Sequence, residues 1–190
     1  MKRLAEPFTF GLVALIFVCT GSIHASESAQ RGPIAGEVLL LRHALAPGFG
    51  DPENFRIDDC STQRNLNQQG RRQARAIGAW LKNHGTDHTQ VYSSQWCRCL
   101  ETARLMNIGD VIPLPALNSF FQRPSDRQPK LSALRAFFTK QAERSKPLIL
   151  VTHQVTITAL TGIFPDSGEG VLAKLGPNGR LYNFKRMSFD

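Results

Sequence analysis

The chain has 190 residues, 42% of them hydrophobic and 20% charged, which is enough for one globular domain with a substantial core. The formal net charge of +8 favours anionic partners such as phosphorylated small molecules, lipopolysaccharide or nucleic acid. Because neither a nucleic-acid-binding module nor an aromatic stacking pattern accompanies the charge, we expect no nucleic-acid partner.

The first 25 residues have the layout of a secretory signal peptide. Lys2 and Arg3 precede an apolar stretch over residues 11–18, and small residues follow up to Ala25. The apolar stretch is too short to span a membrane comfortably, so an uncleaved anchor helix is the less favoured interpretation. The mature protein is therefore expected to be periplasmic or secreted, without stable membrane insertion. The expected division is a signal peptide over 1–25, a flexible leader over 26–35 and one domain over 36–190.

Short apolar runs alternate with helical patterns along the rest of the chain. This alternation predicts a three-layer α/β/α fold with a mostly parallel central sheet. A long loop over 44–66 interrupts the pattern, and a loop of that length inside a compact domain is usually functional. The predicted strands cover 37–41, 90–93, 111–113 and 147–152, with a hairpin over 170–185; the predicted helices cover 67–82, 95–106, 131–144 and 155–161.

Three cysteines remain after signal cleavage, namely Cys60, Cys97 and Cys99. Export places them in an oxidising compartment, so one disulfide is expected. A bridge between Cys97 and Cys99 is sterically awkward because the two residues are so close in sequence. Cys60 is therefore expected to pair with either Cys97 or Cys99, which leaves one thiol over. A metal site is the second interpretation of these thiols, although Cys-x-Cys alone is a weak zinc signal.

Two segments far apart in the chain place a histidine at the end of an apolar strand. His43 follows Val38-Leu39-Leu40-Leu41-Arg42, and His153 follows Leu148-Ile149-Leu150-Val151-Thr152. In an open α/β sheet, ligands bind outside the carboxyl ends of the strands, so the two tips are expected to share one crevice. Two imidazoles beside at least one guanidinium suit a phosphate group.

Four segments, in order, resemble the histidine phosphatase superfamily. Leu41-Arg42-His43-Ala44 resembles the family signature, and Val151-Thr152-His153 resembles the segment that carries its second histidine. Residues 64–74 resemble the start of the family's first helix, and residues 92–103 resemble the segment that delivers the second arginine, here Arg98. Any single match is weak, but four in order identify the chain as a member with the phosphoglycerate mutase-like fold, in a small exported branch.

The resemblance implies a histidine acid phosphatase-type phosphoric monoester hydrolase with a phosphohistidine intermediate, and with no metal or cofactor. His43 is then the nucleophile, which must be neutral to attack phosphorus. Arg42 and Arg98 are expected to lower its pKa and to grip the phosphoryl oxygens through their planar forks. His153 is expected to add a donor, and Arg64 matches a substrate-binding arginine of the phosphohistidine phosphatase branch.

The sequence departs from the family at two places. Ala44 follows the nucleophile where the family usually has glycine, a small change. The general acid is the larger departure: residues 116–121 lack the expected glutamate, and Gln154 stands where the acid phosphatase branch has aspartate. A leaving alkoxide needs a proton, which is worth roughly 10²–10⁴ in rate. The alternative is a substrate whose leaving group needs no acid. The candidate acids are Asp58, Asp59, Asp126, Asp166 and Glu169.

These observations predict an exported, metal-independent phosphatase that acts on a phosphorylated small molecule or sugar. The loop over 44–66 is expected to form a lid, with Phe55 and Arg56 as substrate contacts. The missing acid motivates an alternative, namely a phospho-ligand binding protein of the same fold with weak or no turnover. A third interpretation is an envelope-interaction protein that uses its basic surface.

Overall fold

A six-stranded sheet forms the centre of the protein, and the computed structural model describes residues 30–189. The predicted signal peptide lies outside the described residues. The strands are ordered β3-β2-β4-β1-β5-β6. The first four in this order are mutually parallel, β5 is antiparallel to β1, and β6 is antiparallel to β5. The prediction of a mostly parallel sheet is thus confirmed. The strands are β1 (Glu37–Arg42), β2 (Val91–Ser93), β3 (Val111–Pro113), β4 (Leu148–Thr152), β5 (Gly170–Leu175) and β6 (Leu181–Met187).

Four helices cover the sheet: α1 (Gln68–Asn83), α2 (Cys97–Met106), α3 (Arg127–Gln141) and α4 (Gln154–Thr161). The side chain of Asn67 caps α1 by accepting the backbone N–H of Gly70 at 2.7 Å. None of the helices within residues 30–189 has the length and apolar character needed to cross a bilayer.

The two faces of the sheet carry separate hydrophobic cores. Leu39 and Leu41 of β1 pack in one core with Ile77 of α1 and residues of α2. The alternate residue Leu40 packs in the other core with Leu134 of α3 and residues of α4. A strand buried on both faces needs a continuous apolar run rather than an alternating one, which explains the sequence of β1. The three predicted layers are confirmed.

The register of β1 and β4 places the two histidines together. Arg42 stands opposite Thr152 in the parallel pair, so the residue after each strand lies at the same edge of the sheet. The backbone N–H of His43 donates to the carbonyl of Thr152 at 3.0 Å, extending the ladder by one residue. His43 and His153 therefore leave the sheet side by side.

A disulfide between Cys60 and Cys97 joins the long loop to the first residue of α2, with 5.7 Å between the Cα atoms. Cys99, also on α2, is a free thiol buried in the core between this helix and the sheet. The bridge settles the pairing that the sequence left open. It also consumes two of the three thiols, so the interpretation of these cysteines as a metal site is wrong. Within residues 30–189, no group of three or more histidine, cysteine or acidic side chains could hold a metal ion.

Removal of the disulfide is expected to destabilise the domain. The bridge closes a loop of 37 residues, and cross-links of that size contribute about 2–4 kcal/mol by restricting the unfolded chain. We expect the Cys60→Ser/Cys97→Ser double variant to lose that amount in urea unfolding, and reduced wild-type protein to match it. A loss below about 0.5 kcal/mol in both samples would show that the bridge carries no stability.

Candidate active site

The five residues predicted for the site line one cavity at the carboxyl ends of β1 and β4. The loop over 44–66 forms one wall through residues 48–51, and a second wall contains Ser119, Phe121 and Gln122. The cavity volume is about 100 Å³, well below the roughly 300–1,000 Å³ of pockets that enclose a whole small molecule. It has room for a phosphoryl group while the rest of a ligand lies at the mouth. The five residues are Arg42, His43, Arg64, Arg98 and His153.

His43 is oriented and neutral. It is 2% exposed, and its Nδ1 lies 2.8 Å from the carbonyl oxygen of Ala44. Because a carbonyl only accepts, Nδ1 carries the proton and Nε2 keeps a lone pair. The Nε–H of Arg98 donates to that Nε2 at 3.2 Å. Burial, and then the charge of Arg98, holds the pKa of His43 well below its ordinary value. The imidazole is therefore available as a nucleophile at neutral pH.

His153 lies between β4 and α4, with its ring centroid 5.6 Å from that of His43. Its Nε2 lies 2.9 Å from the hydroxyl oxygen of Ser94. Burial, followed by the charge of Arg98, lowers the pKa of His153 well below its ordinary value. The site thus contains two neutral imidazoles beside cationic guanidinium groups.

Backbone carbonyls hold two of the arginines at the cavity. Arg42 donates from Nη1 to the carbonyl of Pro165 at 2.9 Å. Arg64 donates from Nε to the carbonyl of Gly50 at 2.9 Å, and from Nη1 to the carbonyl of Ala46. Burial lowers the pKa of both guanidinium groups, but an arginine remains protonated in proteins. Fixed cationic donors of this kind stabilise charge on a phosphoryl group without reorganising.

Asp51 is a site residue that the sequence reasoning missed. Its carboxylate accepts from Nη1 and Nη2 of Arg98 at 2.7 and 3.1 Å, and each side chain in the pair is 4% exposed. The same carboxylate accepts from Nε1 of Trp96 at 3.0 Å and from the backbone N–H of Arg64 at 3.1 Å. Burial alone would raise the pKa of Asp51, but these hydrogen bonds, led by those from Arg98, bring it below its ordinary value. Asp51 is therefore an anion that holds Arg98 with Nε directed at His43.

The charges of the cavity match a phosphoryl dianion. Three arginines and one aspartate line it, giving a net charge of +2 from those four side chains. A phosphoryl group carries a charge of about −1.5 to −2 at neutral pH. The arrangement can bind an oxyanion and present a nucleophilic nitrogen to it.

The carboxylates proposed from the sequence as general acids do not line this cavity. Asp126, the residue before α3, pairs with Lys130 of its first turn at 3.2 Å. Glu169 pairs with Arg186 of β6. The candidates outside the cavity are Asp58, Asp59, Asp126, Asp166 and Glu169.

The loop residues proposed as substrate contacts also lie elsewhere. Phe55 stacks on Trp96 with 4.8 Å between ring centroids, so it packs against the core instead of facing a substrate. Arg56 pairs with Asp59 within its own loop. The loop reaches the cavity through residues 48–51 and Arg64 instead.

A family model matches part of the chain. The family model of the histidine phosphatase superfamily (branch 1) matches residues 38–119, a range that contains four of the five residues and ends before His153. No curated protein matches the sequence.

Solved structures share the fold at low sequence identity. The protein histidine phosphatase SixA complexed with tungstate is 18% identical, with a TM-score of 0.56 over 80% of this chain and 97% of its own. Rv3214 from Mycobacterium tuberculosis is 16% identical, with a TM-score of 0.58 over 75% of this chain and 92% of its own. The mycobacterial glucosyl-3-phosphoglycerate phosphatase Rv2419c, with inorganic phosphate, is 14% identical, with a TM-score of 0.55 over 81% and 96%.

Proposed function

Because this chain belongs to the histidine phosphatase superfamily, we propose that it is an exported, metal-independent phosphatase that hydrolyses a phosphomonoester through a phosphohistidine. The observation that carries the proposal is the neutral Nε2 of His43, held in a cavity lined by three arginines. The substrate is a phosphorylated small molecule or sugar. A structural neighbour that is a glucosyl-3-phosphoglycerate phosphatase supports that substrate class.

The reaction has two displacement steps. In the first, Nε2 of His43 forms a bond to phosphorus, the ester P–O bond breaks, and its electron pair leaves with the alcohol oxygen. In the second, water attacks the phosphohistidine, the P–N bond breaks, and phosphate leaves with His43 regenerated. Across both steps, the water supplies a hydroxyl group to phosphorus and a proton to the alcohol. Arg42, Arg64 and Arg98 bind the phosphoryl oxygens, and His153 adds a neutral donor.

The cavity contains no carboxyl group suited to protonate the leaving group. Asp51, the carboxylate among its lining residues, accepts four hydrogen bonds that each favour the anion. The rate must then depend strongly on the acidity of the leaving group, since a positioned acid is worth roughly 10²–10⁴. Substrates with acidic leaving groups are therefore the appropriate ones for detecting activity.

The proposal of export rests on one feature of the sequence and one of the structure. The charged start and short apolar stretch of residues 1–25 have the signal-peptide layout. The Cys60–Cys97 disulfide supports the same conclusion, because disulfides persist in oxidising compartments.

The test uses residues 26–190 with p-nitrophenyl phosphate in the presence of a chelator. We expect nitrophenolate release that the chelator does not reduce. Calorimetry with inorganic phosphate on the same sample separates the alternatives. Phosphate binding without turnover would replace the proposal by the binding protein that the missing acid suggests. A protein that neither binds phosphate nor hydrolyses the ester would favour an envelope-interaction role.

A further inference from the structure

Phe49 is an exposed apolar side chain at the mouth of the cavity. It is 87% exposed and lines the same cavity as His43. Gly48 and Gly50 flank it with φ angles of 96° and 66°, a left-handed conformation that glycine adopts without strain. Burial of a phenylalanine side chain is favourable because it removes apolar surface from water. A tight glycine turn that instead presents this ring to solvent beside a catalytic cavity indicates a contact made with a ligand.

Phe121, from the second wall of the cavity, contacts Phe49 edge to face. The two ring centroids are 4.8 Å apart at 90°, and Phe121 is 43% exposed. Beside them, Gln122 exchanges two hydrogen bonds with the backbone of Asp51, each 3.1 Å long. The two walls are thus joined at the mouth, and we name the pair Phe49 and Phe121 the aromatic rim.

The geometry of the proposed reaction directs the leaving group toward the aromatic rim. His43 is almost fully buried, and the leaving oxygen in a phosphoryl transfer lies in line with the attacking atom, on the far side of phosphorus. The cavity holds little more than the phosphoryl group, so the leaving group extends to the mouth. In the proposed reaction the arginines that line the cavity bind the phosphoryl oxygens, whereas the rim itself is uncharged.

We propose that the aromatic rim is the leaving-group subsite, and that it selects phosphomonoesters whose leaving group has a flat apolar face, such as an aryl ring. This proposal rests on the proposed phosphatase function and adds a substrate class to it. Aromatic pairs contribute beyond their buried area through edge and face contacts, which requires a flat partner and not merely an apolar one.

The test compares two aryl substrates with leaving groups of nearly equal acidity, phenyl phosphate and 2-naphthyl phosphate. Acetyl phosphate, with a leaving group too short to reach the rim, reports the chemistry at His43. We expect wild-type protein to prefer the naphthyl over the phenyl ester about tenfold in kcat/KM, mainly through KM. Phe49→Ala and Phe121→Ala should each reduce that preference to about twofold or less. Their effect on the naphthyl ester should greatly exceed their effect on acetyl phosphate.

Phe184→Ala is the matched control, since Phe184 is 38% exposed on β6 and lies outside the cavity. It should leave all three rates unchanged. Hydrolysis of acetyl phosphate with an unaltered naphthyl preference in both rim variants would overturn the subsite and leave the phosphatase proposal intact. Failure of wild-type protein to hydrolyse any of the three substrates would overturn both proposals.

Discussion

Replacement of His43 by alanine is expected to lower the turnover of p-nitrophenyl phosphate by a factor on the order of 10⁴ or more. The substitution removes the nitrogen that forms the bond to phosphorus and leaves the arginines of the cavity in place. Inorganic phosphate should therefore still bind to the variant. The measurements are steady-state kinetics on both proteins and a calorimetric titration of the variant with phosphate.

A second measurement identifies the intermediate. Wild-type protein that is quenched during turnover should carry a phosphoryl group with the acid lability of phosphohistidine, and His43→Ala should carry none. His84→Ala is the control, because His84 is an exposed histidine that follows α1, away from the cavity. Retention of more than a few per cent of activity in His43→Ala would mean that the nucleophile is another group.

The type and order of the helices and strands could be predicted from the pattern of apolar residues along the chain. Strands buried on both faces need unbroken runs, and β1 and β4 have them. The boundaries were less predictable. The third helix begins at Arg127 rather than at 131, because Pro129 lies in its first turn, where a missing N–H costs no hydrogen bond. It ends at Gln141 rather than at 144.

The residues of the candidate site were predicted on two different grounds. Arg42, His43 and His153 could be predicted because the ends of adjacent parallel strands meet at one edge of the sheet. Arg64 and Arg98 came from the family resemblance, and the structure places both in the cavity.

Asp51 could not be predicted, because the partner that defines it, Arg98, lies 47 residues away in the chain. Between Gly50 and Pro52, an aspartate has the ordinary appearance of a turn residue. The choice between Cys97 and Cys99 had the same difficulty, since it depends on which side of α2 faces the core.

Asp51→Asn is expected to lower kcat by a factor on the order of 10², with a smaller change in KM. The amide keeps the size of the side chain, but its NH₂ group faces donors of Arg98 and Trp96 where the carboxylate accepted from them. Arg98 then loses the partner that fixes its Nε toward His43, and a misplacement of about 1 Å at a reacting centre costs roughly that factor. Kinetics with p-nitrophenyl phosphate measure both constants.

The same substitution should lower the free energy of unfolding by about 3–5 kcal/mol, because it leaves a buried guanidinium charge without its counter-ion. Asp59→Asn is the matched control: it lies in the same loop and breaks an ion pair with an exposed arginine. It should lower the free energy of unfolding far less than Asp51→Asn does, because solvent screens an exposed ion pair, and it should leave kcat unchanged.

The two substitutions together distinguish two possible roles of Asp51. It either positions Arg98 or competes with the phosphoryl group for the nitrogens of Arg98. If Asp51 positions Arg98, its loss lowers kcat even in the molecules that remain folded, while Asp59→Asn does not. If Asp51 instead occupies nitrogens of Arg98 that a phosphoryl group needs, Asp51→Asn will bind inorganic phosphate more tightly and turn over faster. We expect the first outcome, because the carboxylate engages Nη1 and Nη2 of Arg98 and in that orientation Nε donates to Nε2 of His43. The ion pair thus fixes the guanidinium at the reacting imidazole without occupying the nitrogen that contacts it.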